Sequence, residues 1–247
     1  MKLLAWNIRS GGKSRITPIS AVIADSGADI LVLSEVRKSS QGLYDKLRPA
    51  GYGNPVTCIA YREFNGKQVE CGAIAVLSRL PVESVTVEAP APPVSEARWV
   101  EREIPAAGVS VVGLYGPLPG EDYKGFWKAA GSAIRKRADR PLIVAGDLNT
   151  GEKIIDGPAN LFCSDYYSDL VGNGSGNCLV DAWRQIHQSA TEYSWYTPSK
   201  TKPVGFRIDH VLVTRTLVNR IKDARYLQHA REDKISDHAP LLVEFGD

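Results

Sequence analysis

Seven short apolar runs, rich in β-branched residues and bounded by turn residues, constrain the fold of this chain more than any other feature. Runs of this length and composition predict buried β-strands. They span 3–8, 29–33, 73–77, 109–114, 142–145, 208–213 and 241–245. Helical patterns lie between some of them, at 18–26, closed by Gly27, and at 123–138, whose last turn is cationic. The pattern predicts an α/β chain in which strands outnumber helices.

Length and loops determine the expected number of domains. A chain of 247 residues, 43% of them hydrophobic, is long enough to enclose one large core. The segments 88–93 and 172–177 are rich in proline or glycine and are typical of exposed loops, but neither is long enough to separate two domains. We therefore expect a single domain over residues 1–247.

Charge and cysteine usage narrow the class of protein. Lys and Arg total 30 against 28 for Asp and Glu, so the net charge of +2 attracts nucleic acid weakly and any basic surface has to be local. The cysteines lack the close-paired spacing of zinc or redox sites and are expected to be reduced; they are Cys58, Cys71, Cys163 and Cys178. The first apolar run is too short for a signal peptide, and no stretch approaches a membrane span. We expect a monomeric cytoplasmic protein without membrane contact.

Polar side chains stand at the ends of most of the predicted strands, where a buried sheet presents groups to a pocket. They are Asn7, Glu35, Asp147 with Asn149, Asp209, and Asp237 with His238. Each alone has an ordinary interpretation as a turn residue, a solvated strand end or a core histidine. Asp209 is the exception, because a buried carboxylate among apolar neighbours needs a partner. The repetition of such ends in one chain favours a shared site.

Some of these residue types suit a metal site. Mg²⁺ prefers oxygen ligands and is commonly held by one or two protein carboxylates together with substrate phosphate. Glu35, helped by the amide oxygen of Asn7 and by Asp237, is the predicted site, with Mn²⁺ as a substitute for Mg²⁺. The sequence therefore predicts a metal held largely by oxygen atoms.

The remaining strand-end residues match the hydrolysis of a phosphate ester. Such a reaction needs a group that aligns or deprotonates the attacking water, and Asp147, fixed by Asn149, suits that role. Negative charge also develops on the phosphoryl oxygens, so a donor such as His238, oriented by Asp209, is expected to face them.

The order of the motifs carries more information than any one of them. They run along the chain as Trp6-Asn7-Ile8, Ser34-Glu35-Val36, 75–81, Tyr115-Gly116-Pro117, Gly146-Asp147-Leu148-Asn149, Arg207-Ile208-Asp209-His210 and 236–241. This order resembles the endonuclease/exonuclease/phosphatase superfamily, in particular its exodeoxyribonuclease III and apurinic/apyrimidinic endonuclease branch. The resemblance implies a four-layered α/β sandwich, with two mixed β-sheets packed face to face, helices on both sides and the site at one end of the sheets.

The resemblance also implies roles for single residues. It assigns the strand-end side chains the roles that the chemical argument above gave them, with Glu35 as the principal metal ligand. Tyr115 takes the position of a tyrosine that touches the scissile phosphate in the abasic endonuclease branch. Trp195 and Phe206 resemble the aromatic residues of the abasic-sugar pocket in that branch, although core aromatic residues on strands explain them equally well.

Two positions depart from the abasic endonucleases. Leu118 stands where those enzymes carry a polar amide that contacts DNA phosphate, and Arg9 stands where some relatives place an acidic residue near the metal. Both departures bear on the substrate and leave the predicted hydrolytic residues intact.

Three functions stay open on the sequence. The first is a DNA endonuclease or exonuclease, a phosphodiesterase using in-line attack of water and holding DNA through basic patches within 135–140 or 215–225. The second applies the same chemistry to a small phosphoester, a nucleotide conjugate or a lipid headgroup. The third is a binding module without catalysis, which predicts that at least one of the chemical positions is lost, whereas all of them are present.

Overall fold

The structure is a computed structural model of the 247-residue chain. It describes residues 1–53, 55, 57, 59–83, 97–158, 160–172 and 178–246, with the backbone alone at positions 62 and 64. The loop predicted at 88–93, residues 173–177 of the loop predicted at 172–177, and Cys58 lie outside the described residues.

The strands and helices are numbered in chain order. The strands are β1 Lys2–Asn7, β2 Ile30–Val36, β3 Tyr61–Phe64, β4 Lys67–Glu70, β5 Ala73–Ser78, β6 Trp99–Ile104, β7 Val109–Leu114, β8 Leu142–Asp147, β9 Leu179–Asp181, β10 Trp195–Tyr196, β11 Gly205–Phe206, β12 Asp209–Thr214, β13 Ile221–Tyr226 and β14 Leu241–Phe245. The α-helices are α1 Ile16–Ser26, α2 Gln41–Leu47, α3 Tyr123–Arg135, α4 Ser164–Leu170, α5 Ala182–His187 and α6 His229–Glu232.

Two mixed five-stranded sheets form the centre of the described structure. Sheet 1 has the strand order β13-β14-β1-β2-β5, and sheet 2 has the order β6-β7-β8-β12-β9. Each contains one parallel pair, β1 with β2 and β7 with β8, among antiparallel neighbours. Two-stranded ribbons, β3 with β4 and β10 with β11, lie outside these sheets.

The buried apolar residues form layers. One cluster fills the space between the sheets and includes Val32 and Val76 of sheet 1 and Val111 and Val211 of sheet 2. A second cluster joins sheet 1 to α1 and α2, and a third joins sheet 2 to α3 and α4. The order helix, sheet, sheet, helix confirms the predicted four-layered sandwich.

The helix boundaries follow from their capping residues. Helix α1 ends where Gly27 adopts a left-handed conformation with φ of 62°, which a residue without a side chain tolerates. Helix α3 begins at Asp122, whose carboxylate accepts a 3.0 Å hydrogen bond from the Gly125 amide. No helix in the described part of the chain is both long enough and apolar enough to cross a bilayer.

All seven predicted strands are present, but strand β6 was missed because its sequence is charged. Glu101 is buried in this strand and accepts hydrogen bonds from Arg137 at 2.8 Å and from Arg140 at 2.7 Å. Helix α3 ends before these two arginines, three residues earlier than predicted. Part of the predicted basic patch at 135–140 therefore neutralises a buried carboxylate, a role that local sequence does not reveal.

Candidate active site

The pairing of the strands brings the polar strand ends to one end of the sandwich. In sheet 2 the last residue of β8, Asp147, pairs with the first residue of β12, Asp209. In sheet 1 Asn7 ends β1 beside Ser34 of β2. Strands β1 and β8 face each other across the core, and Asn7 contacts Asp147 through a hydrogen bond. Residues from both sheets thus meet at a single place.

A β-bulge directs Glu35 into this place. The pairing of β2 with β5 shifts between Ser34 and Val36, and Glu35 between them has a φ of 60°. Bulges are frequent beside active sites because they redirect a side chain, and a positive φ is uncommon for a residue with a side chain. The Glu35 carboxylate accepts a 2.7 Å hydrogen bond from the Ser10 amide, and its carbonyl accepts one of 2.8 Å from the Gly11 amide. The loop after β1 thereby holds the strained residue.

Asn7 links the carboxylates of the two sheets. Its amide nitrogen donates to Asp147 Oδ2 at 2.8 Å and to Glu35 Oε1 at 3.2 Å. Its amide oxygen accepts a 2.9 Å hydrogen bond from the Arg9 amide. In this arrangement Asn7 positions two acidic groups as a donor, while its oxygen, the atom predicted to help bind metal, faces the backbone.

Asp147 is a buried carboxylate held on several sides. Asn149, at a φ of 53°, donates its backbone amide to Asp147 Oδ1 at 2.9 Å. Gly146 permits the close packing beside it, because a Cβ there would lie 2.3 Å from the Leu114 carbonyl oxygen. Burial, followed by the charge of Asp209, raises the Asp147 pKa to about 7, against the lowering effect of His238 and of the hydrogen bonds. A carboxyl group with such a pKa can exchange a proton with water near neutrality.

Asp209 and His238 form a pair on the opposite side of the cluster. His238 Nδ1 lies 2.7 Å from Asp209 Oδ2, and both side chains are buried. Burial by itself lowers the His238 pKa, but the charge and hydrogen bond of Asp209 outweigh it and raise the pKa to about 10. Trp6 fixes the histidine backbone by donating its indole nitrogen to the His238 carbonyl at 3.0 Å. The pair is therefore an imidazolium at neutral pH, with a carboxylate behind it.

The donor set fits a hard divalent cation. Ligand atoms of Asp147, Asp209 and His238 lie within 4.8 Å of one another, and Asp209 Oδ1 is buried without a hydrogen-bond partner among the described residues. The Glu35 carboxylate is tied to Asp147 through Asn7. Because His238 is protonated, the atoms of this cluster that can bind Mg²⁺ or Mn²⁺ are the carboxylate oxygens of Glu35, Asp147 and Asp209, and Asp209 Oδ1 has no other partner among the described residues.

Asp237 stands at the rim of the cluster. Its carboxylate is 3.6 Å from Arg9 Nε, and both side chains are substantially exposed. Arg9 thus occupies the acidic rim with a positive charge, and its own φ of 53° is another strained backbone position beside the site.

A cavity of about 510 Å³ opens over these groups, and part of its lining is apolar. Trp195 and Phe206 pack in this part of the lining with ring centroids 5.6 Å apart, and Trp195 lies 6.2 Å from the His238 ring. Both aromatic residues are half-buried on the ribbon of β10 and β11. Their side chains therefore face the candidate site and do not belong to the clusters of the core.

Tyr115, at the end of β7, closes the cavity from the side of sheet 2. Its ring packs under the Arg98 guanidinium, whose carbon lies 4.8 Å from the ring centre. Burial, with the negative charges of Asp147 and Glu35, raises the Tyr115 pKa well above its ordinary value. The hydroxyl stays protonated at neutral pH and is available as a donor.

The structure brings the predicted site residues together around one cavity. Asn7 contacts the lining residue Asp147, and Asp209 contacts the lining residue His238. The other predicted residues line the cavity directly: Glu35, Tyr115, Asp147, Asn149, Trp195, Phe206, Asp237 and His238. Sequence reasoning missed Ser194, whose hydroxyl accepts from the amides of Ile208 and Asp209 at 3.1 and 3.2 Å. It also missed Phe162, a lining residue in a stretch without a motif. The individual catalytic and ligand roles stay predictions.

Comparisons with known proteins place this geometry in context. A family model described as Endonuclease/Exonuclease/phosphatase family matches residues 4–238. An exodeoxyribonuclease of Bacillus subtilis (strain 168) is 25% identical over 259 residues, covering 98% of both chains. An AP endonuclease structure from Archaeoglobus fulgidus superposes with a TM-score of 0.77 at 21% identity, and that of the 3′ phosphatase NExo from Neisseria, bound to product DNA hairpin, with 0.76 at 23% identity. Both matches cover 100% of each chain.

Proposed function

Because the chain belongs to the endonuclease/exonuclease/phosphatase family, we propose that it hydrolyses phosphoester bonds of DNA with a divalent metal ion, Mg²⁺ or Mn²⁺. Family membership confirms the prediction of a hydrolase acting on such bonds. The observation that carries the proposal is the meeting of Asp147, Asp209 and His238 within 4.8 Å beneath an open cavity.

Asp147 orients and activates the attacking water. Its carboxylate is fixed by Asn7 and Asn149, so its oxygen atoms are held in place before substrate binds. A pKa of about 7 lets the carboxylate orient the water and accept its proton as the bond to phosphorus forms.

His238 and Tyr115 stabilise the negative charge that develops on the phosphoryl oxygens. The imidazolium is held by Asp209 through Nδ1, which leaves Nε2 to donate to a phosphoryl oxygen. Tyr115 supplies a protonated hydroxyl from the other side of the cavity. Glu35, with Asp237 close by, would hold the metal ion, which would supply further positive charge near the phosphoryl oxygens.

Two observations support DNA as the substrate. Relatives along the whole chain carry the name exodeoxyribonuclease or are named as enzymes that bind a DNA hairpin. The rings of Trp195 and Phe206 line the cavity and provide an aromatic surface on which a base or sugar next to the phosphate can pack. No observation on the described residues favours a small phosphoester or a binding module.

An activity panel tests the proposal. Plasmid nicking, an abasic duplex, a duplex with a 3′-phosphate, single-stranded DNA and bis(p-nitrophenyl) phosphate are each incubated with Mg²⁺, Mn²⁺ or EDTA. We expect hydrolysis of at least one DNA substrate, abolished by EDTA and restored by added metal. Asp147→Asn should lower turnover by about 10²-fold to 10⁴-fold, whereas Asp139→Asn, an exposed aspartate outside the site, should not. EDTA-resistant hydrolysis, or turnover of small phosphodiesters alone, would refute the proposal.

A further inference from the structure

A second cavity, which we call the α3 groove, lies on the outer helix layer over sheet 2 and has a volume of about 340 Å³. Lys124, Lys128, Gly131 and Arg135 of α3 form one side of it. Residues three, four and seven apart share a helix face, so these four positions make one stripe about 16 Å long. Gly131 leaves room beside the Arg135 side chain, since a Cβ there would lie 3.3 Å from Arg135 Nη1.

The α3 groove is positively charged. Lys124, Lys128 and Arg135 are exposed, and Asp169 is the carboxylate that lines the groove with them. Within the described ranges neither lysine has a carboxylate within ion-pair distance. Arg135 donates to the Asp169 backbone carbonyl at 3.2 Å, which leaves the Asp169 charge unneutralised by that contact. Three cations therefore face one anion along the stripe.

The neighbouring basic residues differ from this stripe. Arg137 and Arg140 are held by Glu101 and Glu103, and Arg225 of the second predicted patch is held by Asp223 and Glu244. An arginine whose charge is already neutralised by a carboxylate of the same chain attracts an anionic ligand only weakly. The charge on α3 remains directed toward solvent.

Three aromatic side chains connect the α3 groove to the active-site cavity. The Tyr123 ring packs edge-on against Phe162, at 5.2 Å between centroids, and against Tyr166, at 6.3 Å. Phe162 lines the active-site cavity and Tyr166 lines the α3 groove. All three rings are partly exposed. The contacting rings therefore link a residue that lines the active-site cavity to one that lines the α3 groove.

Aromatic rings followed by a track of cations are the arrangement that binds single-stranded nucleic acid, with bases stacked on the rings and phosphates beside the cations. We propose that the α3 groove binds a single-stranded DNA segment that continues from the nucleotide in the active-site cavity, with bases on Tyr123 and Tyr166 and phosphates at Lys124, Lys128 and Arg135. Charge complementarity and continuity with the cavity identify this occupant. The proposal rests on the DNA substrate proposed above.

Binding measured in EDTA tests the groove without cleavage of the DNA. Fluorescence anisotropy compares a blunt hairpin with the same hairpin carrying a single-stranded overhang of about ten nucleotides. The groove variant is Lys124→Gln with Lys128→Gln. The control is Lys46→Gln with Lys67→Gln, two exposed lysines on α2 and β4, away from the groove. Thermal melting verifies that every variant is folded.

We expect the groove variant to lose about tenfold in affinity for the overhang hairpin and to lose the preference for it over the blunt hairpin. The slope of log affinity against log salt should become shallower by about 1.4, since each phosphate contact to a single strand contributes about 0.7. Tyr166→Leu should weaken overhang binding about fivefold or more through lost stacking. The control pair should match the wild type in affinity and slope.

The outcomes separate this proposal from the proposed function. Wild-type affinity and salt slope in the groove variant overturn the groove, even if DNA hydrolysis is found. Equal competition by a polyglutamate peptide also overturns it, because the occupant would then be an acidic protein segment. A groove-dependent affinity in a wild-type protein that hydrolyses no DNA overturns the proposed function and supports the groove. Absence of DNA binding in EDTA overturns the groove, whereas hydrolysis measured with added metal decides the proposed function.

Discussion

Two aspartate–histidine pairs meet at one peptide bond of β12, and they differ in what surrounds them. Asp209 lies 2.7 Å from His238, and its neighbour His210 lies 3.1 Å from Asp181, measured between Oδ2 and Nδ1 in each pair. Adjacent strand residues point to opposite faces of a sheet, so the pairs lie on opposite sides of sheet 2. The first faces the active-site cavity and the second faces the outer layer.

The polar atoms of the outer pair, Asp181 and His210, are satisfied by hydrogen bonds within the protein. Arg207 donates to Asp181 at 2.8 Å and to both oxygens of Asp156 at 2.7 and 2.8 Å. Tyr167 donates to Asp181 at 2.6 Å, and the second His210 nitrogen lies 2.8 Å from the Thr150 carbonyl oxygen. Burial alone raises the Asp181 pKa, but Arg207, His210 and Tyr167 outweigh it and hold the pKa well below its ordinary value.

The comparison shows that residue type does not distinguish a catalytic pair from a structural one. The inner pair keeps Asp209 Oδ1 without a partner among the described residues and keeps His238 at the cavity wall. The outer pair spends its hydrogen-bonding capacity on the protein itself. An unsatisfied polar atom beside a cavity therefore supports the proposal that the inner pair is the reactive one.

The largest expected difference between the pairs is in catalysis. His238→Gln should lower turnover of the DNA substrate by about 10²-fold to 10⁴-fold, because it removes the charged donor. His229→Gln, at an exposed position on α6, is the matched control and should keep wild-type turnover. Steady-state kinetics with Mg²⁺ measures both. Equal rates in the two variants would contradict the assignment of the inner pair.

The next largest effect is on stability and belongs to the outer pair. Arg207→Met removes the cation that buried Asp156 and Asp181 share and leaves Asp156 with Arg184 alone, so the free energy of unfolding should fall by about 3–5 kcal/mol. Arg225→Met removes exposed ion pairs on β13 and should cost about 1 kcal/mol or less. Urea denaturation measures both values. A loss for Arg207→Met no larger than for Arg225→Met would show that the network is not structural.

The outer pair should also set part of the acid stability. Because the Asp181 pKa is lowered by folding, its contribution is fully present above the unfolded pKa of about 4 and is lost as the pH falls below it. In Asp181→Asn the total loss in free energy of unfolding on acidification should be smaller by about 2 kcal/mol, and the stability at neutral pH should be lower. Urea denaturation between about pH 5 and pH 2 gives the slope. An unchanged slope would be evidence against this linkage.

The smallest expected effect sharpens the comparison. Tyr167→Phe removes one hydrogen bond to Asp181 and leaves Arg207 in place, so the free energy of unfolding should fall by about 1 kcal/mol. Turnover should change far less than in His238→Gln, because Tyr167 does not line the active-site cavity. A loss of turnover equal to that of His238→Gln would mean that the two pairs act as one catalytic unit.

Much of the fold was predictable from local patterns. Strands such as β1 and β8 are apolar runs bounded by turn residues, and their polar ends, Asn7 and Asp147, identified the candidate site before any contact was known. Strand β6 was not predictable, because its charged residues are buried only through arginines 36 and 39 positions away. The α3 groove was missed for a similar reason: its second side comes from α4.

The amino-acid sequence by itself determined most of the strands of the two sheets and the set of polar strand ends, because apolar patterns are local properties of the chain. The order of its motifs indicated the family, and the resemblance to that family implied the layered fold. Only the tertiary structure decided which polar groups are satisfied. Asn7 and Asp147 are 140 residues apart, and Asp209 and His238 are 29 apart. Whether a buried carboxylate is neutralised, as at Asp181, or keeps an oxygen without a partner among the described residues, as at Asp209, depends on groups that come together only in the folded chain.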